Sequence, residues 1–333
     1  MFWIIVFIIS FLILFWSGSK VVTGLMKMAK YLGWREFVVA FFVMAFAGAL
    51  PNLFIGINSA LKGIPELSFG EIVGGNVVDM TLAIGLALLI GGKPLPVKSK
   101  MVQTSTIFMV VAAVLPQVLI LDGNLDRIDG VILLFFFFLY IFWIFSKGER
   151  FKKIYKIGEE KSKISFWDFL KEDKEPRTIK QFKTFFKNLR KTTIALILLV
   201  LSAWGVVQSI QVFSDTMNIS LPIIGILVVG LGNALPETYF AILSARRGRT
   251  WLILGDLMGS VIVCATFVLG VVVLISPIKN IDFSPFAIAR IFLVISAVYF
   301  LIAVRTDQKI TKKEGIFLVL IYFAFLAAEI FFH

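Results

Sequence analysis

An acidic residue inside an apolar run is the strongest chemical signal in this sequence. Glu237 belongs to the stretch GNALPETY, residues 232–239, within a segment from Leu221 to Leu243 that carries no other charge. A carboxylate near the middle of a membrane-length segment is costly unless it faces a cavity or a partner. We therefore expect Glu237 to belong to a functional site inside the protein.

A second copy of the same pattern occurs earlier in the chain. Residues 49–85 align with residues 234–270 at a constant offset of 185 without a gap, and 13 of the 37 aligned positions are identical. The shared positions include an Ala-Leu-Pro triplet and several glycines, which mark turns and kinks rather than hydrophobic filler. The sequence thus contains an internal repeat, in which Asn52 takes the place of Glu237.

Two prolines beside these residues are predicted to break their helices. Pro51 and Pro236 have no N–H, so each frees a carbonyl oxygen one turn earlier, at Ala47 and Gly232. Gly48 and Gly232 would let the backbone open there. Carbonyl and carboxylate oxygens are the ligands that Ca²⁺ prefers. A kinked helix without an ion is the alternative, but an acid beside the kink favours a cation site.

The next helix of each repeat carries a row of small and acidic residues. The spacing of four places each row along one helix face. The rows are Glu71, Gly75 and Asp79 in the first repeat and Asp256, Ser260 and Cys264 in the second. Asp79 lies deep in its apolar run, so we expect it to bind a cation. Glu71 and Asp256 lie near the predicted helix starts. There a role as a cation ligand, vestibule or gate and simple contact with water and the helix dipole are equally compatible with the sequence.

These motifs resemble those of a known family. The segments GALPN…GEIVGGNVVD and GNALPE…GDLMGSVIVC are similar to the two α-repeats of the cation/calcium exchanger superfamily, and the chain looks like a sodium/calcium exchanger-like membrane protein of archaeal or bacterial type. The family pattern, Gly-Thr-Ser-Leu-Pro-Glu, is followed at a fixed distance by an Asn or Asp. The pairs Asn52/Asp79 and Glu237/Cys264 keep that distance, which is 27 residues.

The resemblance implies a function and a set of binding residues. The implied function is secondary active antiport of Ca²⁺, or a related divalent cation, against Na⁺ by alternating access, with no enzymatic reaction and no cofactor. An H⁺-coupled divalent cation exchanger and a cation channel are the alternatives. The expected metal ligands are Glu237, Asp79 and Asn52. The wider cation-binding set adds Asn233, Ser260, Gly48 and Gly232.

The sequence also departs from the family pattern. Asn52 replaces one of the two glutamates, and the Thr-Ser pairs of the pattern are replaced by Gly48-Ala49 and by residues 233–234, Asn-Ala. Several hydroxyl ligands expected for Na⁺ are therefore missing. Cys264 stands where an oxygen ligand is expected, and a thiol is a poor partner for Ca²⁺. We interpret Cys264 as a small buried apolar residue.

The composition indicates that these motifs lie in a membrane. The chain is 59% hydrophobic and 16% charged, which is typical of a polytopic membrane protein. Segments long enough to cross a bilayer are predicted at 2–29, 36–62, 68–92, 102–121, 128–145, 192–213, 219–245, 251–275, 284–304 and 314–332. The first lacks the small-residue cleavage site of a signal peptide, so we expect it to be retained.

We therefore predict an all-α polytopic membrane protein of ten transmembrane helices arranged as two inverted five-helix repeats. Because five is odd, related halves must cross the membrane in opposite directions, as in many secondary transporters. The predicted divisions are 1–146 for the first repeat with its motif at 46–85, 147–191 for a basic loop, and 192–333 for the second repeat with its motif at 231–270.

The basic loop predicts the orientation of the chain. Residues 147–191 hold 15 basic and 7 acidic residues, which accounts for 8 of the 12 net positive charges. Positive loops stay on the cytoplasmic side, so both termini are expected outside a cell membrane. The expected partners are the lipid bilayer, inorganic cations and, at this loop, anionic lipids, with no nucleic acid; the oligomeric state is left open.

Other functional classes have no support in the residues. A single cysteine excludes an intrachain disulfide, and the one histidine, His333, cannot form a paired-histidine metal motif. No catalytic triad or phosphate-binding loop is found either. An intramembrane enzyme is therefore the weakest hypothesis.

Overall fold

The structure, a computed structural model, describes residues 2–31, 46, 48–92, 94–97, 100–154, 179–246, 250–306 and 308–332. The predicted all-α polytopic membrane fold is confirmed. Within the described residues, nine helical segments are long and apolar enough to cross a bilayer, and the shorter apolar helix Leu50–Leu61 is the described part of the predicted span 36–62. These ten segments match the predicted helices.

The helices of the first half precede the basic loop. They are α1 (Phe2–Tyr31), α2 (Leu50–Leu61), α3 (Pro65–Val78), α4 (Ile84–Gly91), α5 (Lys100–Leu119) and α6 (Arg127–Ile154). Those of the second half are α7 (Ile179–Met217), α8 (Leu221–Ile224), α9 (Gly230–Arg246), α10 (Thr250–Ile262), α11 (Leu269–Ile275), α12 (Ala287–Arg305) and α13 (Lys312–Phe332). Short 3₁₀ turns occupy Ile120–Asp122 and Ser284–Phe286, and two strands, β1 (Leu95–Pro96) and β2 (Lys309–Ile310), pair antiparallel.

Helices form because a lipid environment offers the backbone no hydrogen-bond partners, so each segment must satisfy its own N–H and C=O groups. Helix α6 shows how one side of such a helix is exposed while the other is buried. Phe135, Phe138 and Phe142 are exposed on one side, whereas Phe137 and Tyr140 are buried. The exposed phenylalanines are suited to contact lipid, and the buried face packs into the helix bundle.

Each repeat contains a π-helical turn at the same place. Asp79–Ala83 joins α3 to α4, and Val263–Val268 joins α10 to α11, in agreement with the offset of 185. In both turns a threonine hydroxyl donates to the carbonyl oxygen four residues earlier, Thr81 to Val77 and Thr266 to Ile262. A π-turn inside a helix often marks a functional site. Here the turn contains Asp79 in one repeat and its counterpart Cys264 in the other.

Two short backbone pairings tie the repeats together at opposite ends of helix α5. Leu95 of β1 pairs with Ile310 of β2, and Leu125 forms a bridge with Ile278. The hydrogen bonds correspond as well, because Val97 N–H donates to the Gln308 carbonyl at 2.8 Å while Ile281 N–H donates to the Gly123 carbonyl at 2.9 Å. Residues 125 and 123 are the repeat counterparts of 310 and 308. Equivalent contacts at opposite ends are what an inverted repeat requires.

Two details differ from the sequence-based expectations. Helix α9 continues through Pro236, so the predicted break there is wrong. Pro236 only removes one hydrogen bond from a continuous helix. The irregular π-turn lies earlier in the chain, at Gly225–Val229. At Pro51 a boundary is present, since α2 begins at Leu50 with proline in its first turn. Helix α7 has 39 residues, about 58 Å, and so begins well before residue 192. The carbonyl of Ala47 and most of the loop 147–191 lie outside the described residues.

Candidate cation site

The two repeats meet where the backbones of α3 and of the segment α8–α9 approach closely. A Cβ on Gly74 would collide with the carbonyl oxygen of Ile226, and one on Gly70 would lie 2.6 Å from that of Pro222. From the other side, a Cβ on Gly230 would lie 2.7 Å from the amide nitrogen of Gly75. Small residues allow such contact between membrane helices. The crossing brings the acidic residues of the two repeats together.

A small cavity lies beside this crossing. It has room for roughly one water-sized particle. Its lining comes from both repeats and consists of Asn52, Ile72, Gly75, Asn76, Asp79, Gly230, Asn233, Ala234, Glu237, Ser260 and Cys264. Five of the seven residues predicted to bind a cation therefore line one cavity: Asn52, Asp79, Asn233, Glu237 and Ser260.

Two carboxyl groups, one from each repeat, line this cavity. Asp79 is 4% exposed and Glu237 is 8% exposed, and the two interact electrostatically with each other and with Asp256. Asp79 accepts a hydrogen bond from the Ser260 hydroxyl. Neighbouring buried carboxylates are destabilising unless a positive charge or a proton compensates them.

Four buried oxygen atoms around the cavity have no hydrogen-bond partner within the described part of the chain. They are Asn52 Oδ1, Glu71 Oε2, Asp79 Oδ1 and Glu237 Oε2. Buried polar atoms are normally satisfied, so a group of unsatisfied ones requires an explanation. Carboxylate and amide oxygens are suitable ligands for hard cations such as Ca²⁺. Three of these oxygens, on Asn52, Asp79 and Glu237, belong to residues that line the cavity and are available to a desolvated cation.

The lining contains an acidic pair, Asp79 and Glu237, here called the acidic arm, and a neutral pair, Asn52 and Cys264. The Asn52 amide donates to Cys264 Sγ at 3.1 Å, and these two positions are the repeat counterparts of Glu237 and Asp79. Cys264 is buried, as expected, but it is more than apolar filling because it lines the cavity and accepts this hydrogen bond. The pseudo-symmetry of the backbone is therefore not matched by the charges.

Glu71 does not lie at a helix start in contact with water. It is the seventh residue of α3, is 1% exposed and accepts a hydrogen bond from the Asn233 side chain across the repeat interface. The interpretation as a water-exposed dipole partner is therefore wrong for Glu71. Asp256 is also the seventh residue of its helix and is half-buried. A vestibule or gate role for Glu71 and Asp256 stays a prediction.

The two predicted glycines differ in their surroundings. A Cβ on Gly48 would lie 3.6 Å from Glu237 Oε1, so this glycine borders the acidic arm. Gly232 packs instead against the ring of Phe11. Asn76, a buried cavity-lining amide, was not among the predicted binding residues. Its position one turn before Asp79, within the otherwise apolar stretch 72–78, was the available signal.

The donor set is mixed. Within the residues that the structure describes, no three His, Cys, Asp or Glu side chains are grouped closely enough to hold a metal ion by themselves. A cation in this cavity would therefore need amide, hydroxyl or backbone oxygens in addition to Asp79 and Glu237. Ca²⁺ accepts such mixtures, since it takes about six to eight oxygens of several kinds.

Comparison with known proteins gives matches along nearly the whole chain. A family model described as sodium/calcium exchanger protein matches residues 2–146 and 192–331. An uncharacterized membrane protein of Methanocaldococcus jannaschii is 23% identical over 331 residues, covering 97% of this chain and 96% of that protein. The sodium/calcium exchanger MaX1 of Methanosarcina acetivorans is 23% identical over 319 residues, covering 90% of each chain. A solved structure of the sodium-calcium exchanger NCX_Mj covers 98% of both chains with a TM-score of 0.64 at 22% identity, which shows a shared fold.

Proposed function

Since the chain belongs to the sodium/calcium exchanger protein family, we propose that it is a secondary active antiporter that exchanges Ca²⁺, or a related divalent cation, against Na⁺ by alternating access. The observation that carries this proposal is the set of buried oxygen atoms without partners on Asn52, Asp79 and Glu237 beside one cavity. A cation is the simplest occupant that satisfies them.

Charge balance supports exchange at a single cavity. Asp79 and Glu237 together balance one divalent cation or, in its absence, two Na⁺ ions. Competition between the two occupants would couple their movements. The amide oxygens of Asn52 and Asn233 and the hydroxyl of Ser260 belong to lining residues and would contribute to the coordination. Backbone oxygens near Gly48, which lies beside Glu237, would complete it.

Alternating access is supported by the inverted repeats. In this architecture a site near the membrane midplane opens first to one side and then to the other as one part of the protein moves against the rest. The cavity lies at the contact of the two repeats, where Gly74 and Gly230 bring the backbones together. We propose the repeat divisions 1–146 and 192–333, with the loop 147–191 in the cytoplasm, both termini outside the cell membrane and contact of the loop with anionic lipids.

One observation favours H⁺ as an alternative coupling ion. The Asn52–Cys264 arm supplies neither a carboxylate nor a hydroxyl, so it offers little to additional Na⁺ ions. A buried carboxylate such as Glu237 can bind a proton when no cation is present. The H⁺-coupled divalent cation exchanger is therefore the second candidate.

Transport by the purified protein in liposomes separates these candidates. We expect uptake of radioactive Ca²⁺ to require an outward Na⁺ gradient and to stop when that gradient is collapsed at constant membrane potential. Uptake that follows an imposed pH gradient instead would identify the H⁺-coupled exchanger. Equal Ca²⁺ flux with neither gradient, at clamped potential, would contradict exchange and indicate a channel.

A further inference from the structure

Glu71 is a third buried acid beside the cavity, and its role is not explained by charge balance between Asp79 and Glu237. It lies on α3, two turns before Asp79, and is 1% exposed. Its Oε1 accepts a hydrogen bond from Nδ2 of Asn233, which belongs to the other repeat. The bond therefore joins the two repeats beside the candidate site.

This hydrogen bond determines which way the Asn233 amide is turned. A carboxylate offers only acceptor oxygens, so the edge of the amide that faces Glu71 must carry the NH₂ group. The amide is planar, and its carbonyl oxygen Oδ1 lies on the other edge. Asn233 lines the cavity. With NH₂ held by Glu71, the oxygen is the polar atom left to serve a cation there.

The other repeat has no equivalent pair of an acid and a side-chain amide. The counterparts of Glu71 and Asn233 at the offset of 185 are Asp256 and Gly48. Gly48 has no side chain to orient. The fixed amide is therefore a feature of one repeat only, on the side of the cavity where Glu237 supplies its charge.

We propose that Glu71 is a positioning residue that sets cation affinity by holding the Asn233 amide with its carbonyl oxygen toward the cavity. This inference rests on the proposed cation-exchange function. Glu71 itself need not touch the cation. Its contribution is to prevent Asn233 from presenting an NH₂ group, which would repel a cation and cannot act as its ligand.

The test uses Glu71→Gln in the full-length protein. Glutamine keeps the size and can still hydrogen-bond Asn233, so a purely structural contact would survive. Its NH₂ group can also donate to Asn233 Oδ1, which lets the amide turn over. We expect Ca²⁺ binding to the purified variant to weaken about tenfold or more, with a raised KM for Ca²⁺ uptake and a nearly unchanged maximal rate and melting temperature.

The double variant Glu71→Gln/Asn233→Asp provides the rescue. Aspartate has an oxygen on both edges, so one can accept from the introduced glutamine amide while the other faces the cavity. We expect its Ca²⁺ affinity to return to within a few-fold of the unsubstituted protein. The matched control is Glu66→Gln, which lies in the first turn of the same helix and should leave binding unchanged.

The results of these measurements either support or overturn the positioning role of Glu71. Unchanged Ca²⁺ affinity in folded Glu71→Gln protein would overturn the positioning role while leaving the exchange function intact. If that variant does not fold, a folded double variant that binds Ca²⁺ more than about tenfold weaker would overturn it as well. An unsubstituted protein that neither binds nor exchanges Ca²⁺ would instead refute the proposed function, and the inference with it.

Discussion

At the scale of single residues, the candidate site is built from buried carboxyl groups that each have one oxygen atom without a protein partner. Asp79 and Glu237 lie on opposite sides of the repeat interface, and each has one oxygen without a hydrogen bond in the described structure. The equivalent positions, Cys264 and Asn52, carry no charge and are joined by a hydrogen bond from the amide NH₂ of Asn52 to the sulfur of Cys264. The acidic arm should therefore carry the charge-dependent part of cation binding.

Removing one charge from this arm should abolish or strongly reduce transport. Glu237→Gln and Asp79→Asn keep shape and a carbonyl oxygen but lose the negative charge. A unit charge about 4 Å from a divalent cation contributes about 8 kcal/mol at an effective dielectric constant of about 20, of which desolvation cancels a part. We expect at least about 100-fold weaker Ca²⁺ binding, with loss of uptake in liposomes for Glu237→Gln and a strong reduction for Asp79→Asn.

Folding must be separated from binding in that experiment. Both variants should elute as monodisperse protein and melt no lower than the unsubstituted chain, because removing a like charge from a buried pair relieves repulsion. Glu66→Gln, at the start of α3, serves as the control. Exchange at the unsubstituted rate by well-folded Glu237→Gln protein would show that the site lies elsewhere.

At the scale of elements, the crossing of α3 with the segment α8–α9 positions the acidic arm. Gly74 lies against the Ile226 carbonyl, and Gly230 lies against the Gly75 amide. These are contacts between backbones, which cannot move aside as a side chain can. The distance between the two repeats at the cavity therefore depends on the absence of a Cβ.

Adding that Cβ should separate the helices. Gly74→Ala raises intrinsic helix propensity, so any loss of stability must come from the collision with Ile226. We expect about 1–3 kcal/mol of destabilisation, a lower melting temperature in detergent and a large loss of Ca²⁺ uptake.

Val228→Ala is a suitable comparison because Val228 lies in the same π-turn as Ile226 but is exposed on the surface of the helix bundle. It should leave both measurements nearly unchanged. If Gly74→Ala melts and transports like the unsubstituted protein, the close crossing does not determine the geometry of the site.

At the scale of the whole molecule, the inverted repeats and the basic loop together predict how the chain lies in the membrane. The pairings Leu95/Ile310 and Leu125/Ile278 tie the repeats at opposite ends of the bundle. Helix α7 extends beyond the length of a bilayer core at its basic N-terminal end, where Lys187, Arg190 and Lys191 lie. Basic residues favour the cytoplasmic side.

A cysteine in the basic loop can test this orientation. Ser162→Cys, in the part of the loop outside the described residues, should react with a membrane-impermeant thiol reagent in inverted membrane vesicles but not in intact cells. The unsubstituted protein is the control, because its one cysteine, Cys264, is buried. Labelling of Ser162→Cys in intact cells would contradict the proposed topology.

The sequence alone determined the fold class, the spans and most residues of the site. Apolar windows, the repeat offset of 185 and the acids inside apolar segments could be identified because hydrophobic length and the cost of burying a charge are properties of each segment by itself. Glu237, Asp79 and Asn52 could be selected in this way, before any contact between helices was known.

Only the tertiary structure decided how these residues pair. The bonds from Asn233 to Glu71 and from Asn52 to Cys264 cross between repeats, and the lining position of Asn76 depends on the neighbouring helices. The structure also showed that α9 continues through Pro236, with the irregular turn earlier in the chain. A side chain's partner depends on which helix packs against it and at what distance, and that is decided by glycine contacts between segments far apart in the sequence.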